Sequence, residues 1–139
     1  MSIQMVLLPV FVQVALTFAL LFWMASVRTS SITRGETKIR DIALGQPNWS
    51  MRTLQIGNCL ANQFQFPVLF YVVVILALFT KTADIIFVVL AWIFVLSRLA
   101  HAYVHTTSNH VPTRFKVFGV GIFALLVMWV MVALKILLY

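Results

Sequence analysis

The chain has 139 residues, 63% of them apolar and 9% charged, a formal net charge of +7 and a mean hydropathy of +1.04. A soluble domain of this length is about half apolar and a quarter charged, and ten basic with three acidic residues cannot cover the surface it would expose. Those numbers exclude an ordinary soluble enzyme, a disordered tail and, with Cys59 the lone cysteine, a disulfide scaffold; no basic stripe interleaved with aromatics points to nucleic acid.

Four apolar runs, at about 5–27, 60–80, 83–100 and 117–138, each approach the roughly 20 residues that cross about 30 Å of hydrocarbon. Continuous runs of this length do not make a membrane β-barrel, which needs many alternating strands closed on one another. The expected fold is therefore all-α, an integral membrane four-helix bundle in one domain covering 1–139, with spans at about 5–27, 57–80, 83–105 and 115–138. The first span has no basic segment before it and three similar spans after it, so it is expected to stay as a helix.

The connection after the first span carries Arg28, Arg34, Lys38, Arg40 and Arg52, and Arg98, Arg114 and Lys116 surround the connection between the third and fourth. Only Lys81 and Lys135 belong to the opposite side. The positive-inside rule then places both basic connections in the cytoplasm and both termini on the non-cytoplasmic side. Within the first connection, Asn48 or Ser50 can cap a helix beyond Pro47, and Trp49, Met51, Leu54 and Ile56 predict an amphipathic lead-in to the second span.

On the second span Asn58, Asn62 and Gln65 are spaced i, i+4, i+7 and share a face flanked by Cys59 and Gln63. Pro67 deprives the Gln63 carbonyl of its helical donor, adding an acceptor at the same level. Such amides serve either as interhelical hydrogen-bonding groups or as the wall of a polar site. Cys59 itself reads as a small packed hydrophobe.

The short Lys81-Thr82 turn makes the second and third spans antiparallel neighbours. Near the end of the third, Arg98, His101 and His105 follow i, i+3, i+7, and Arg114 comes just after Pro112, which suits the first turn of the last helix. Arg114 and Lys116 can snorkel to headgroups, whereas Arg98 lies about two turns inside the boundary. His101 and His105 have the spacing of two zinc ligands, but no third ligand is identifiable and Arg98 opposes a cation, so no metal is expected. Amides, guanidinium groups and imidazoles at one membrane boundary describe a site for a polar anion entered from the cytoplasm, open to an apolar partner from the lipid. An arginine beside a bound thiol favours thiolate. A carrier or channel is disfavoured because the ionisable groups cluster at one end.

The segments Asn62-Gln-Phe-Gln-Phe-Pro-Val-Leu-Phe-Tyr71 and Arg98-Leu-Ala-His-Ala-Tyr-Val-His-Thr-Thr-Ser-Asn-His-Val-Pro-Thr-Arg114 resemble those of the MAPEG family, membrane-associated proteins in eicosanoid and glutathione metabolism, in a divergent, bacterial-type form. The resemblance implies a homotrimer in the lipid bilayer, here a bacterial inner membrane, with glutathione as co-substrate between subunits near the cytoplasmic face and transferase or peroxidase chemistry on lipophilic substrates. The family pattern Arg-x-x-x-Asn-x-x-Glu falls on Asn58, Asn62 and Gln65, so only the asparagine is kept. The second pattern falls on Arg98, His101, His105 and Pro112-Thr113-Arg114, with His105 where tyrosine is usual. By this resemblance Arg114 and His105 are catalytic, Arg114 as the thiol-activating group, and Arg98, His101, Asn62, Gln65 and Asn58 bind glutathione or another small anion. The alternative is a non-catalytic protein of the same fold, whose polar residues serve helix packing and trimer assembly.

Overall fold

A computed structural model describes the whole chain, Met1–Tyr139. It contains five α-helices and no strand: α1 (Ile3–Thr33), α2 (Met51–Asn62), α3 (Phe66–Phe79), α4 (Ile85–Thr106) and α5 (Val111–Leu138), with one 3-10 turn at Ile39–Asp41. The four segments Ile3–Thr33, Met51–Phe79, Ile85–Thr106 and Val111–Leu138 are each long and apolar enough to span a membrane. Bulky apolar side chains such as Ile75, Phe79, Phe123 and Leu137 point outward, as they do where lipid replaces water as the solvent.

The second span differs from a single continuous helix. It begins at Met51 after Ser50, whose hydroxyl accepts from the Thr53 amide, so Ser50 and not Asn48 is the cap and the amphipathic lead-in is part of the helix. It then breaks at Gln63–Gln65 before resuming at Phe66, because Pro67 supplies no N–H and crowds the residue before it. The Gln63 side chain folds back into the break: its Nε2 donates to the Cys59 carbonyl at 3.0 Å and its Oε1 accepts from Gln13 Nε2 of α1 at 2.9 Å. This buried amide pair ties α1 to the broken span, a contribution of about 0.6–2 kcal/mol in a membrane bundle. Cys59 packs with Leu20, Leu60 and Ala102, as a small hydrophobe would.

α4 is the central helix, with half of its spanning window buried against 22% for α1. Phe87, Ala91, Phe94 and Val95 of α4 form the main core with Phe70, Val73 and Val74 of α3, Leu125, Met128 and Val132 of α5, and Val6 of α1. α5 lies closest to α4 where Gly121 faces Ser97. A Cβ built on Gly121 would sit 2.2 Å from Ser97 Oγ and 3.3 Å from its Cβ, and that hydroxyl is engaged with the Phe94 carbonyl at 2.6 Å. Gly121→Ala is therefore expected to destabilise the protein by about 1–3 kcal/mol. Adding Ser97→Ala, which removes the nearer clash, should recover most of the loss in a detergent melting assay.

The two ends of the bundle differ in charge. At the end holding both termini, Lys135 Nζ of α5 donates to the Thr82 carbonyl at 2.9 Å and to the Asp84 carboxylate. Asp84 also caps α4 through the Phe87 amide. The Lys135 hydrogen bond first, and the Phe87 amide second, hold the Asp84 carboxyl below its usual range. With the folded value depressed, this contribution is fully present above the ordinary carboxylate pKa of about 3.9 and is lost as pH falls through the folded value. Asp84→Ala is expected to cost about 1 kcal/mol at neutral pH as a lost cap. That difference from wild type should persist through the ordinary carboxylate range and shrink only in melts run at lower pH, as the depressed folded value is crossed.

Candidate functional site

At the opposite, basic end, the break in the second span, the last turns of α4 and the first turns of α5 enclose a cavity of about 450 Å³. Its walls are Asn58, Ala61, Asn62 and Gln65 from the second span, His101 and His105 from α4, and Val111, Arg114, Phe115 and Phe118 from α5. Six of the seven residues singled out from the sequence thus face one space. The helical break aids this, because it turns Gln65 back onto Asn62, whose Nδ2 donates to Gln65 Oε1 at 2.9 Å.

Arg98 is the seventh and lies behind that wall, 2% exposed. Its Nη2 donates to Asn62 Oδ1, so guanidinium, Asn62 and Gln65 form a continuous donor–acceptor chain reaching the cavity. Its Nε and Nη1 have no partner, and the molecule's two ion pairs, Arg40–Asp41 and Lys135–Asp84, are elsewhere. A buried guanidinium without a counter-ion or full hydrogen bonding is costly, and native proteins keep such groups few.

The imidazoles repeat the pattern. His101 and His105 are buried, their ring centroids 5.5 Å apart at 81°, and His101 also packs 5.9 Å from Phe118. Both Nδ1 atoms lack a partner. Four of the six unpartnered buried side-chain atoms in the protein, two on Arg98 and one on each histidine, belong to this one cluster, so the deficit is local. No third His, Cys, Asp or Glu stands close enough to complete a metal set with the two histidines.

Arg114 stands at the mouth, on the first turn of α5. Its Nη1 donates to Asn109 Oδ1 at 2.7 Å. Asn109 adopts φ +50°, a left-handed conformation that asparagine tolerates, and its amide closes the end of α4 on the Val104 carbonyl at 2.7 Å. One residue therefore ends α4 and holds Arg114 over the cavity.

Two residues not singled out from the sequence anchor the site. Gln55 Nε2 donates to the His105 and Thr107 carbonyls at 2.8 and 3.1 Å, and Arg52 Nη1 to the Thr106 carbonyl. These are the orphan carbonyls of the last turn of α4, so α2 fixes the height at which His101 and His105 enter the cavity. The signal available was a polar pair at i, i+3 on an otherwise amphipathic lead-in; Phe115 and Phe118, close to Arg114 on α5, add the apolar part of the wall.

In comparisons with known proteins, a family model described as MAPEG family matches residues 6–134. No curated protein and no solved structure matches the chain.

Proposed function

Because the chain belongs to the MAPEG family, matched over 6–134 of its 139 residues, we propose that this multi-pass membrane protein binds glutathione, or a related small thiol acid, in the cavity between α2, α4 and α5. It transfers that thiol to lipophilic electrophiles drawn from the bilayer or uses it to reduce them. The observation that carries this reading is Arg98, buried with two N–H-bearing nitrogens unpartnered and no carboxylate of the protein nearby. A ligand carboxylate received by the Asn62 and Gln65 amides in front of Arg98 offsets that charge through the donor–acceptor chain.

The remaining roles follow from position. Asn62 and Gln65 extend the donor chain from Arg98 into the cavity and orient the peptide portion of the ligand. Arg114, partly open at the mouth, lowers the energy of thiolate relative to thiol. The thiolate then attacks an electrophilic carbon: the C–S bond forms as the leaving group departs with its electron pair, and His105, in the family's tyrosine position, donates an N–H toward the sulfur or the departing atom. Asn58 and Gln65, neutral where the family has arginine and glutamate, recruit the ligand through hydrogen bonds in place of two ion pairs. In this reading the cavity faces the cytoplasm from a bacterial inner membrane, an orientation supported by the excess of basic residues at this end, and a homotrimer completes the cleft with a neighbouring protomer.

The test is turnover by protein reconstituted in liposomes with glutathione and an activated aryl halide, following thioether formation, alongside Asn62→Leu. The proposal expects product from wild type and none above background from the variant, which keeps its oligomer although its melting temperature falls with the loss of the one side-chain acceptor of Arg98. A variant that loses the oligomer while wild type forms no product supports instead the non-catalytic protein, with the amides as packing groups.

A further inference from the structure

A second cavity, of about 400 Å³, lies at the same end of the bundle but in the corner between the last turn of α1 and the start of α2. It opens separately from the thiol site and shares no residue with it. Its lining is polar except for Val27: Arg34, Arg52, Glu36 and the hydroxyls of Ser30, Ser31, Ser50 and Thr53. Two of those hydroxyl residues, Ser31 and Thr53, are 3% exposed and joined to each other at 3.0 Å, so the floor is built rather than a loose surface. Arg34, Arg52 and Glu36 face one space, yet none is paired with another. The Glu36 carboxylate has only the Ser31 hydroxyl, at 3.4 Å. Opposite charges held in one cavity without meeting suit a ligand that carries both signs.

Beyond Arg52 lies an apolar groove of about 250 Å³ between α1 and α4, lined by Leu16, Ala19, Leu20, Trp23, Leu99 and Ala102 among others. Arg52 joins the two spaces. It lines the polar cavity, its guanidinium lies 5.2 Å from the centre of the Trp23 ring, and it donates to the Thr106 carbonyl; Trp23 and Thr106 both line the groove. Along α1 the residues Leu16, Leu20, Trp23, Val27, Ser31 and Arg34 recur every three or four positions. They form one stripe that passes from the apolar groove to the polar cavity. A tryptophan at that transition is the usual marker of the headgroup level.

We infer that this corner binds a phospholipid with a phosphate and primary ammonium headgroup. The acyl chain lies in the groove between α1 and α4, and the phosphate sits between Arg34 and Arg52, among the serine and threonine hydroxyls. The ammonium is received by Glu36. Guanidinium groups match phosphate oxygens, and a carboxylate accepts N–H bonds from a primary ammonium but none from a quaternary one, so the site discriminates by hydrogen bonding as well as by charge. A lipid so placed braces α1 against α2 and α4 through Arg52, the residue that also caps α4.

The test is native mass spectrometry and melting of the full-length protein in detergent, with phosphatidylethanolamine, phosphatidylcholine or phosphatidylglycerol of identical acyl chains, and with soluble phosphoethanolamine. Wild type is expected to retain phosphatidylethanolamine about tenfold better than the other two lipids, the worth of one charge-assisted contact. Glu36→Gln should erase the difference between ethanolamine and choline headgroups, and Arg34→Gln should weaken all three. Ala19→Trp, which fills the groove from its lipid-facing side, should lower retention of every lipid. These positions lie outside the main core, and unchanged helical circular dichroism verifies folding of each variant. Equal retention of the three lipids by wild type, or an unaltered preference in Glu36→Gln, overturns the assignment. Phosphoethanolamine binding as tightly as the lipid, with Ala19→Trp without effect, overturns the lipid in favour of a soluble phosphate compound.

Discussion

Replacing Arg98 with methionine is expected to raise the melting temperature of the protein in detergent and at the same time to weaken its affinity for glutathione. The two effects have one origin. Arg98 is buried with Nε and Nη1 unpartnered, so the ligand-free protein carries an ion whose desolvation is only partly offset by Asn62. An apolar side chain of similar length relieves that cost, and comparable replacements of buried charges stabilise by about 1–4 kcal/mol. Removing the charge behind the amides that receive the ligand carboxylate costs about 1.5–3 kcal/mol of binding, a loss of roughly tenfold to 150-fold in Kd. Circular dichroism melts measure the first effect and titration calorimetry the second. If Arg98 serves packing alone, methionine should leave ligand binding where it was.

Arg114→Ala should separate from Arg98→Met by acting on turnover. Arg114 is at the mouth, partly exposed, and held by Asn109 rather than by the Arg98–Asn62–Gln65 chain. Its charge matters most when sulfur carries negative charge, so its removal should lower kcat for thioether formation about 10²–10³-fold, the scale seen on deleting one preorganised stabilising donor. The Kd for glutathione should change by no more than about threefold, as befits a solvent-screened contact. Asn109→Ala should give a smaller fall in kcat with KM unchanged, because Asn109 positions Arg114 and touches no reacting atom. A parallel loss of affinity in Arg114→Ala would place it with the binding residues instead.

Much of this was legible in the chain. The four spans stand out because lipid-facing helices need apolar residues on nearly every side, a signal that does not depend on knowing their neighbours. The grouping of Asn58 with Asn62, and of Arg98, His101 and His105, was legible because helical periodicity fixes which residues share a face, whereas Gln65 joins them only through the break. Helical periodicity does not fix depth: that Arg98 lies behind the cavity wall and acts through Asn62 depends on how α4 packs against the broken second span. The break itself was half visible. Pro67 marked a missing hydrogen bond, but the same residue can kink a helix or divide it, and the choice follows from Gln13, 50 positions from Gln63 in sequence, whose amide partners Gln63 across the bundle. Arg52 and Gln55 stayed hidden for a related reason, since their partners are backbone carbonyls of α4 that carry no sequence signature. Glu36 likewise acquires meaning only when the loop brings it into the same corner as Arg34 and Arg52.

The cavity between α2, α4 and α5 is taken to hold an anionic thiol on the Asn62 and Gln65 amides in front of Arg98. Titration calorimetry of the purified full-length protein with glutathione tests this most directly, with Arg98→Met as the paired sample. A saturable heat from wild type that is weakened or lost in the variant, while the variant melts at the same or a higher temperature, is the predicted result; no heat from wild type with glutathione or with any other low-molecular-weight thiol acid would contradict it.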